Sequence, residues 1–598
     1  MRATNSPPTT LGLRSWFRGV RLACAVACLS LSPWAAADDS TDVVAELDVP
    51  VVMRDGVTLR ANVYRPATGG PYPVLVSRTP YGKGRNFNQF VRAGYIVVSQ
   101  DARGRYVSDG QFESFERLET HDAEDGYDTI AWAAKLPNST GKVGTIGTAY
   151  NAFLQWRLAA SLPPALAAMA AFSIPARYTD LEGPGTIRPG RRLKWWATTA
   201  SPDLRKRAGL PGTQTQAEAL DLWDLNEGAA FLWFVPWLEL PDRVFESGQA
   251  SMNHWLRNPH LDPWKLDLAC AEIDVPNLNV CGWYDHCNGS IDLHTALAST
   301  GHTEAAREGS RLVVGPWSHV SLGRRKTGGI DFGPAAEVDM IAAQIDWFDQ
   351  WLKGEPRAKE DMAQVRIYVM GVNEWRDEPK WPLDRATPTT MYLTSGGEAN
   401  TPAGDGSLVH DAPSAAMTDD YVYDPRDPVP TLYGSATYTI PADQRPLVHR
   451  RDILVYQSPP LTEELEVIGY PRVILHAAST APDTDFFARL VDVAPDGTNR
   501  DVVQGMVRAR YRHSLERPKL IEPNAVVEYE IELGPTANRF LRGHRVRLDI
   551  TSSDFPNYDR NHNTAADQNA DALLVPATQT IHHGGERASR LILPVIAP

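Results

Sequence analysis

One segment limits the possible folds more than any other: Lys142-Val143-Gly144-Thr145-Ile146-Gly147-Thr148-Ala149-Tyr150-Asn151-Ala152. A short apolar strand ends in Gly-x-Ala-x-x-Ala, and the helical pattern of Asn151 to Ser161 begins at once. A strand that turns into a helix this abruptly has the form of a nucleophile elbow, a strained turn that holds one residue above the end of a sheet strand. Small residues are needed at 147 and 152 because strand and helix approach closely there. The apex of such an elbow is expected to be serine, and here it is Ala149. A methyl group has no lone pair and cannot attack a carbonyl. Thr145 and Thr148 are poor substitutes, since their side chains would point away from the apex.

The surrounding text alternates strands and helices. Val51 to Met53 and Val57 to Tyr64 read as strands joined by an Asp-Gly turn. Val74 to Ser77, Tyr95 to Ser99 and Lys142 to Ile146 are further short strands, and Glu124 to Leu136 carries Tyr127, Ile130, Ala131 and Ala134 at helical spacing. This alternation predicts a mostly parallel sheet covered on both faces. Over residues 176–267 regular strands fade and helical segments such as Thr215 to Phe234 take over. This stretch holds Trp195, Trp196, Trp223, Trp233, Trp237, Trp255 and Trp264, seven of the chain's 17 tryptophans. An enrichment of that size inside an insertion suggests a lid over an apolar pocket as much as ordinary core. The α/β pattern resumes near Pro276 to Val280 and Arg311 to Val314, followed by a helix from Asp339 to Leu352. From about residue 386 onward, short strands alternate with Pro, Gly and Asp turns, which predicts an antiparallel sandwich.

At 598 residues the chain is too long for a single core. Its formal net charge of −14 opposes a phosphate backbone, so no nucleic-acid partner is expected. Arg2, Arg14, Arg18 and Arg21 precede an apolar stretch from Leu22 to Leu31 and then Ala35-Ala36-Ala37, the order of an export signal cleaved near Ala37. Its removal makes the charge more negative still and predicts a periplasmic or extracellular protein. No later apolar run reaches the length of a membrane span. Cys270, Cys281 and Cys287 would remain, too few for a disulfide framework. Neither a Cys-x-x-Cys pair nor a His-Glu-x-x-His helix is present, so neither metal nor organic cofactor is expected.

Two more strands end in residues suited to acyl transfer. Val280-Cys281-Gly282-Trp283-Tyr284 leads to Asp285, and Val313-Val314-Gly315-Pro316-Trp317-Ser318 leads to His319. The order nucleophile position, acid, His follows the chain order of elbow hydrolases. An Asp and a His at neighbouring strand ends can meet above the sheet, the carboxylate orienting the imidazole. For the oxyanion, the backbone N–H of Tyr150 follows the apex. A second donor usually lies after an early strand, where Arg78-Thr79-Pro80-Tyr81-Gly82-Lys83 lacks a Gly-Gly run but offers the Tyr81 hydroxyl.

Through these segments the chain resembles the cocaine esterase-like (CocE/NonD) family of α/β-hydrolases, related to X-prolyl dipeptidyl aminopeptidases, α-amino acid ester hydrolases and glutaryl acylases. The likeness extends over nearly all of residues 38–598. It runs through Met53-Arg54-Asp55-Gly56-Val57, Arg78-Thr79-Pro80-Tyr81, Gln100-Asp101-Ala102-Arg103-Gly104, Ser108-Asp109-Gly110, the elbow and the two strand ends. It continues through Met370-Gly371-Val372-Asn373-Glu374-Trp375, Asp483-Thr484-Asp485-Phe486 and Ser552-Ser553-Asp554-Phe555-Pro556. The resemblance implies an α/β-hydrolase core at 44–175 and 268–385, a helical cap at 176–267 and a C-terminal jelly roll at 386–598. It places Ala149 at the nucleophile position, Asp285 and His319 as the other triad members, and Tyr81 with the Tyr150 amide as the oxyanion hole. Trp195, Trp196, Trp233 and Trp283 are candidates for substrate contacts.

The expected function is that of an exported serine esterase or acylase acting on a small ester or amide with an apolar acyl group, lacking its nucleophile because of Ala149. The intact Asp285, His319 and Tyr81 favour a serine-to-alanine change at an otherwise complete site. The alternatives are an aminopeptidase or β-lactam acylase of the same fold, and a non-catalytic binding homologue. α-Amino acid ester hydrolases, similar in sequence, carry acidic residues after the triad Asp. This chain has His286-Cys287-Asn288 there, which argues against recognition of a free α-amine. Composition does not set the oligomeric state.

Overall fold

Strands buried on both faces are written as continuous apolar runs, and Val74-Leu75-Val76 and Ile96-Val97-Val98 are almost wholly shielded from solvent. They belong to a ten-stranded sheet seen in the computed structural model, which describes residues 43–355, 363–401, 403–432 and 441–597. The strands are β1 (Val43–Val52), β2 (Thr58–Pro66), β3 (Tyr72–Thr79), β4 (Ile96–Asp101), β5 (Ser139–Thr148), β6 (Leu166–Phe172), β7 (Leu278–Gly282) and β8 (Arg311–Gly315). A separate ribbon, β9 (Lys326–Thr327) with β10 (Ile330–Asp331), precedes β11 (Val365–Val369) and β12 (Glu374–Glu378). The order across the sheet is β1-β2-β4-β3-β5-β6-β7-β8-β11-β12. Pairing is parallel from β4 through β11 and antiparallel at both margins. Helices Asp122–Ala133, Tyr150–Ala159, Ser290–Thr300 and Met340–Phe348 are among those in the connections.

Two expectations about single elements change. The first strand is much longer than Val51 to Met53. It runs from Val43, pairs with β2 through its backbone and breaks register between Glu46 and Val49. An edge strand with one solvated face needs no apolar run, so hydrophobicity did not reveal it. The long helix expected over 215–234 is interrupted. Thr215 caps Gln216–Leu222 by accepting the Glu218 amide at 3.3 Å, while Glu218 accepts the Thr215 amide at 3.2 Å. A π-turn over Trp223–Glu227 follows, and helix resumes at Gly228–Leu232. A side chain at 228 would collide with the Trp223 indole 2.7 Å away.

The helical region between β6 and β7 rests on aromatic packing, with Trp196, Trp237, Trp255 and Trp264 all buried. The C-terminal region forms a sheet of 13 strands among the described residues, from Ala386–Thr394 to Arg590–Ile596, almost all antiparallel. This is the jelly roll beside an α/β-hydrolase core. It meets the helical region where the Arg508 guanidinium donates to the Gly185 carbonyl at 2.7 Å and the Gly190 amide donates to the Pro556 carbonyl at 3.1 Å. It meets the end of β7 where Arg500 donates to the Tyr284 hydroxyl at 2.8 Å, one residue before Asp285. No helix among the described residues is long and apolar enough to cross a membrane. The export signal read over 1–37 lies outside the described residues.

Candidate active site

The elbow forms because strand and helix nearly touch. An added Cβ at Gly147 would lie 2.5 Å from the Asn151 Cβ, and Ala152 is completely buried. The chain reverses at Ala149, which adopts φ 57° and ψ −119°. Positive φ of this kind costs a non-glycine residue about 1–3 kcal/mol. It is held by Ala149 donating its amide to the Phe172 carbonyl at 3.0 Å and accepting the Ala152 and Phe153 amides at 2.9 Å. Tyr150 opens the helix Tyr150–Ala159, so its N–H has no partner within that helix. The elbow therefore has its strain and its donor, with a methyl group at its apex.

Asp285 and His319, expected from the sequence as acid and base, follow β7 and β8. Gly282 permits the contact between them, since a Cβ there would fall 2.0 Å from the Trp317 carbonyl oxygen. Across this close approach Trp283 donates its amide to Gly315 at 2.9 Å and Tyr284 donates to Trp317 at 3.0 Å. The result sets His319 Nδ1 at 3.0 and 3.3 Å from the two Asp285 carboxylate oxygens. The Asp285 side chain is fully buried and also accepts the Cys287 amide at 2.8 Å. Burial disfavours charge on His319, but Asp285 and the Cys287 sulfur outweigh it and hold its pKa well above the ordinary imidazole value. His286 goes the other way. Burial first, then Arg191 and His319, push its pKa well below that value, although its ring lies only 4.7 Å from that of His319. Burial and neighbouring charges thus push the two imidazole pKa values in opposite directions.

Ala149, Tyr81, Tyr150, His286, Cys287 and His319 line one cavity of about 220 Å³. Phe115, Phe153, Ile174, Leu181, Trp195, Leu220 and Trp264 give it apolar walls. Phe115 packs at 4.8 Å from Tyr150 and lies under the Arg192 guanidinium at 4.5 Å. Arg192 is itself paired with the fully buried Glu182, donating from Nε at 2.9 Å. No Asp or Glu lines this cavity among the described residues. The Trp195 indole donates to the Tyr81 hydroxyl at 3.3 Å. Accepting that bond orients the Tyr81 oxygen and leaves its proton to be donated elsewhere.

The tryptophan candidates separate. Trp195 lines the cavity, whereas Trp196 is buried behind it and donates to Glu116 at 3.0 Å. Trp233 is 47% exposed and packs on Phe555 and Arg560 of the jelly roll, away from Ala149. Trp283 donates to the Tyr368 carbonyl at 2.8 Å and borders a different cavity, of about 420 Å³, on another side of Asp285 and His286. Spacing cannot distinguish these roles, because only packing decides which face meets the cavity. The walls Phe115, Phe153, Leu181 and Leu220 went unread for the same reason.

Metal-ligand spacing also missed a juxtaposition. Asp285, His286, Cys287 and His319 bring one ligand-type atom each to within 4.8 Å of one another. These donor types suit a thiophilic divalent ion. In this arrangement, however, the Asp285 oxygen nearest the cluster is already used by the His319 ring and the Cys287 amide. All three described cysteines are free and buried.

Comparison with known proteins agrees with this architecture. Residues 55–321 match the X-Pro dipeptidyl-peptidase (S15 family), and 357–592 match the X-Pro dipeptidyl-peptidase C-terminal non-catalytic domain. The cocaine esterase of Rhodococcus sp. (strain MB1 Bresler) is 36% identical over 94% of this chain and 99% of its own length. The crystal structure of an aminopeptidase from the marine sediment archaeon Thaumarchaeota archaeon superposes with a TM-score of 0.78 at 25% identity, covering 96% of this chain and 99% of that one. An α-amino acid ester hydrolase gives a TM-score of 0.72 at 26% identity, covering 94% and 98%. With a strained elbow after β5, an Asp–His pair beyond the ends of β7 and β8 and a jelly roll braced against them, the chain belongs to the cocaine esterase-like (CocE/NonD) family of α/β-hydrolases.

Proposed function

We propose that this protein binds a small ester, or an amide, with an apolar acyl group, and that its site is built for acyl transfer by a serine at position 149. The observation that carries the reading is the shared cavity, in which Ala149 at φ 57° faces the same space as the Asp285-bound His319, Tyr81 and the aromatic walls. In the parent cycle His319 takes the nucleophile's proton, Asp285 stabilises the imidazolium, and Tyr81 with the Tyr150 amide holds the oxyanion. Water activated by His319 then releases the acid. With Ala149 in place that serine cycle is missing while binding remains. The protein acts outside the cytoplasm, on the strength of the basic-apolar-small order of residues 1–37.

An ester substrate is favoured over an aminopeptidase substrate by charge. A free α-ammonium needs a carboxylate, and the described cavity wall instead carries Arg191, Arg192 and Lys194. The test is Ala149→Ser assayed with short 4-nitrophenyl esters, with aminoacyl 4-nitroanilides and with a fluorophosphonate label. Hydrolysis of the simple esters and labelling at the introduced hydroxyl are expected. A folded variant that neither labels nor turns over any of these substrates would leave the protein a binding homologue.

A further inference from the structure

Resting on the ester-hydrolase reading, we propose that Cys287 is an acyl-accepting nucleophile of this site, activated by the Asp285–His319 pair that the elbow leaves without a serine. Cys287 lines the cavity with Ala149, Tyr81, Tyr150 and His319. Its backbone is fixed by the 2.8 Å bond from its amide to Asp285. Its sulfur lies within 4.8 Å of the ligand-type atoms of both His319 and Asp285. Since Nδ1 of His319 is held by Asp285, the imidazole is oriented as it is in a Ser-His-Asp or Cys-His-Asn arrangement. His319 and Arg191 line the same cavity as Cys287, and it is a thiolate that attacks.

The other two thiols show what an inert cysteine looks like in this fold. Burial pushes Cys270 up to about 12, and its thiol donates to the Leu266 carbonyl at 3.4 Å. Burial, then Asp285, pushes Cys281 well above its ordinary value. Neither lines the cavity.

In the proposed step Cys287 attacks as the thiolate, its proton held on His319, and the sulfur bonds to the ester carbonyl carbon. The C–O bond to the alcohol then breaks, and the departing oxygen takes the proton from His319. The product is a thioester at Cys287. Hydrolysis by water, deprotonated by His319, returns the thiol and releases the acid, with no change of oxidation state.

The probe is 4-nitrophenyl butyrate with intact-protein and peptide mass spectrometry. One butyryl group on Cys287, released by neutral hydroxylamine, is expected on the unmodified chain and absent from Cys287→Ala. Should Cys287→Ala fail to fold, His319→Gln provides the second arm, and acylation of Cys287 is expected to slow at least about 100-fold without its general base. An adduct only on Cys270, Cys281 or an amine, an acylation rate unchanged in His319→Gln, or one equivalent of tightly held zinc that blocks the thiol would each overturn the proposal. Ala149→Ser separates it from the reading beneath it. Acylation of the Ala149→Ser variant at its new hydroxyl, beside an unmodified parent chain, overturns the thiol proposal alone, and failure of both overturns both.

Discussion

The elbow and the loop that faces it are opposites. At the elbow the chain has the costly part, a non-glycine residue at φ 57° wedged between Gly147 and Ala152, with a methyl group at the apex. Across the cavity, the ends of β7 and β8 relax into paired groups. There Asp285 is shared between the His319 ring and the Cys287 amide, and a thiol and two imidazoles lie within a few ångströms. Backbone strain and proton-transfer chemistry are therefore supplied by separate pieces of the sheet.

Four experiments probe that contrast. The largest effect belongs to Ala149→Ser. In a related triad the nucleophile is worth about a millionfold in kcat, so with Cys287→Ala in both chains the gain in ester hydrolysis should approach that scale if the elbow is intact. A gain below about a hundredfold would mean that the elbow has lost its alignment along with its hydroxyl. Next is Tyr81→Phe in the Ala149→Ser background. If Tyr81 donates to the oxyanion, kcat should fall by about 10²–10³ with KM little changed, because the bond strengthens only as charge develops. A loss of less than about tenfold would restrict Tyr81 to packing against Tyr150, whose ring centroid is 6.3 Å away.

A smaller effect concerns pH. Base catalysis needs neutral His319, and Asp285 and Cys287 hold its pKa above the ordinary imidazole value. In Ala149→Ser, kcat/KM should therefore keep rising with pH beyond the usual imidazole midpoint. Cys287→Ala removes one of the groups that raise it, so the midpoint should move to lower pH. A shift to higher pH would show that Cys287 does not support the imidazolium. The smallest effect tests the strain itself. Ala149→Gly should raise thermal stability by about 1 kcal/mol, since glycine adopts this φ without a Cβ penalty. Destabilisation in a thermal melt would mean that the Ala149 methyl contributes more through packing than its backbone costs.

The hydrolase core was readable because its signals are local. Gly147-x-Ala149 between an apolar strand and a helix, and Asp285 and His319 just past two apolar runs, are each a few residues long, and chain order linked them. The helical region was legible only as an aromatic-rich insertion. Its Trp195 reaches the cavity while Trp196, its immediate neighbour, donates to Glu116 behind the wall. A helix turns about 100° between adjacent residues, so which of the pair faces substrate depends on how the segment docks. The same holds for the solvated edge strand β1, whose pairing with β2 rests on backbone bonds rather than on an apolar pattern.

The linear text was enough to specify the order of elements, the elbow with an alanine at its apex, and Asp285 and His319 as the proposed acid and base, because periodicity and turn chemistry act over a few neighbouring residues. Packing between distant elements settled what those residues share. It closed Gly282 onto the Trp317 carbonyl so that Asp285 and His319 bond, and brought Cys287 to the same imidazole. It also pushed the pKa of His286 down, through burial and then Arg191, and that of His319 up, against burial, through Asp285 and Cys287. These are effects of distance and dielectric between segments far apart in the chain, and a linear text carries no measure of either.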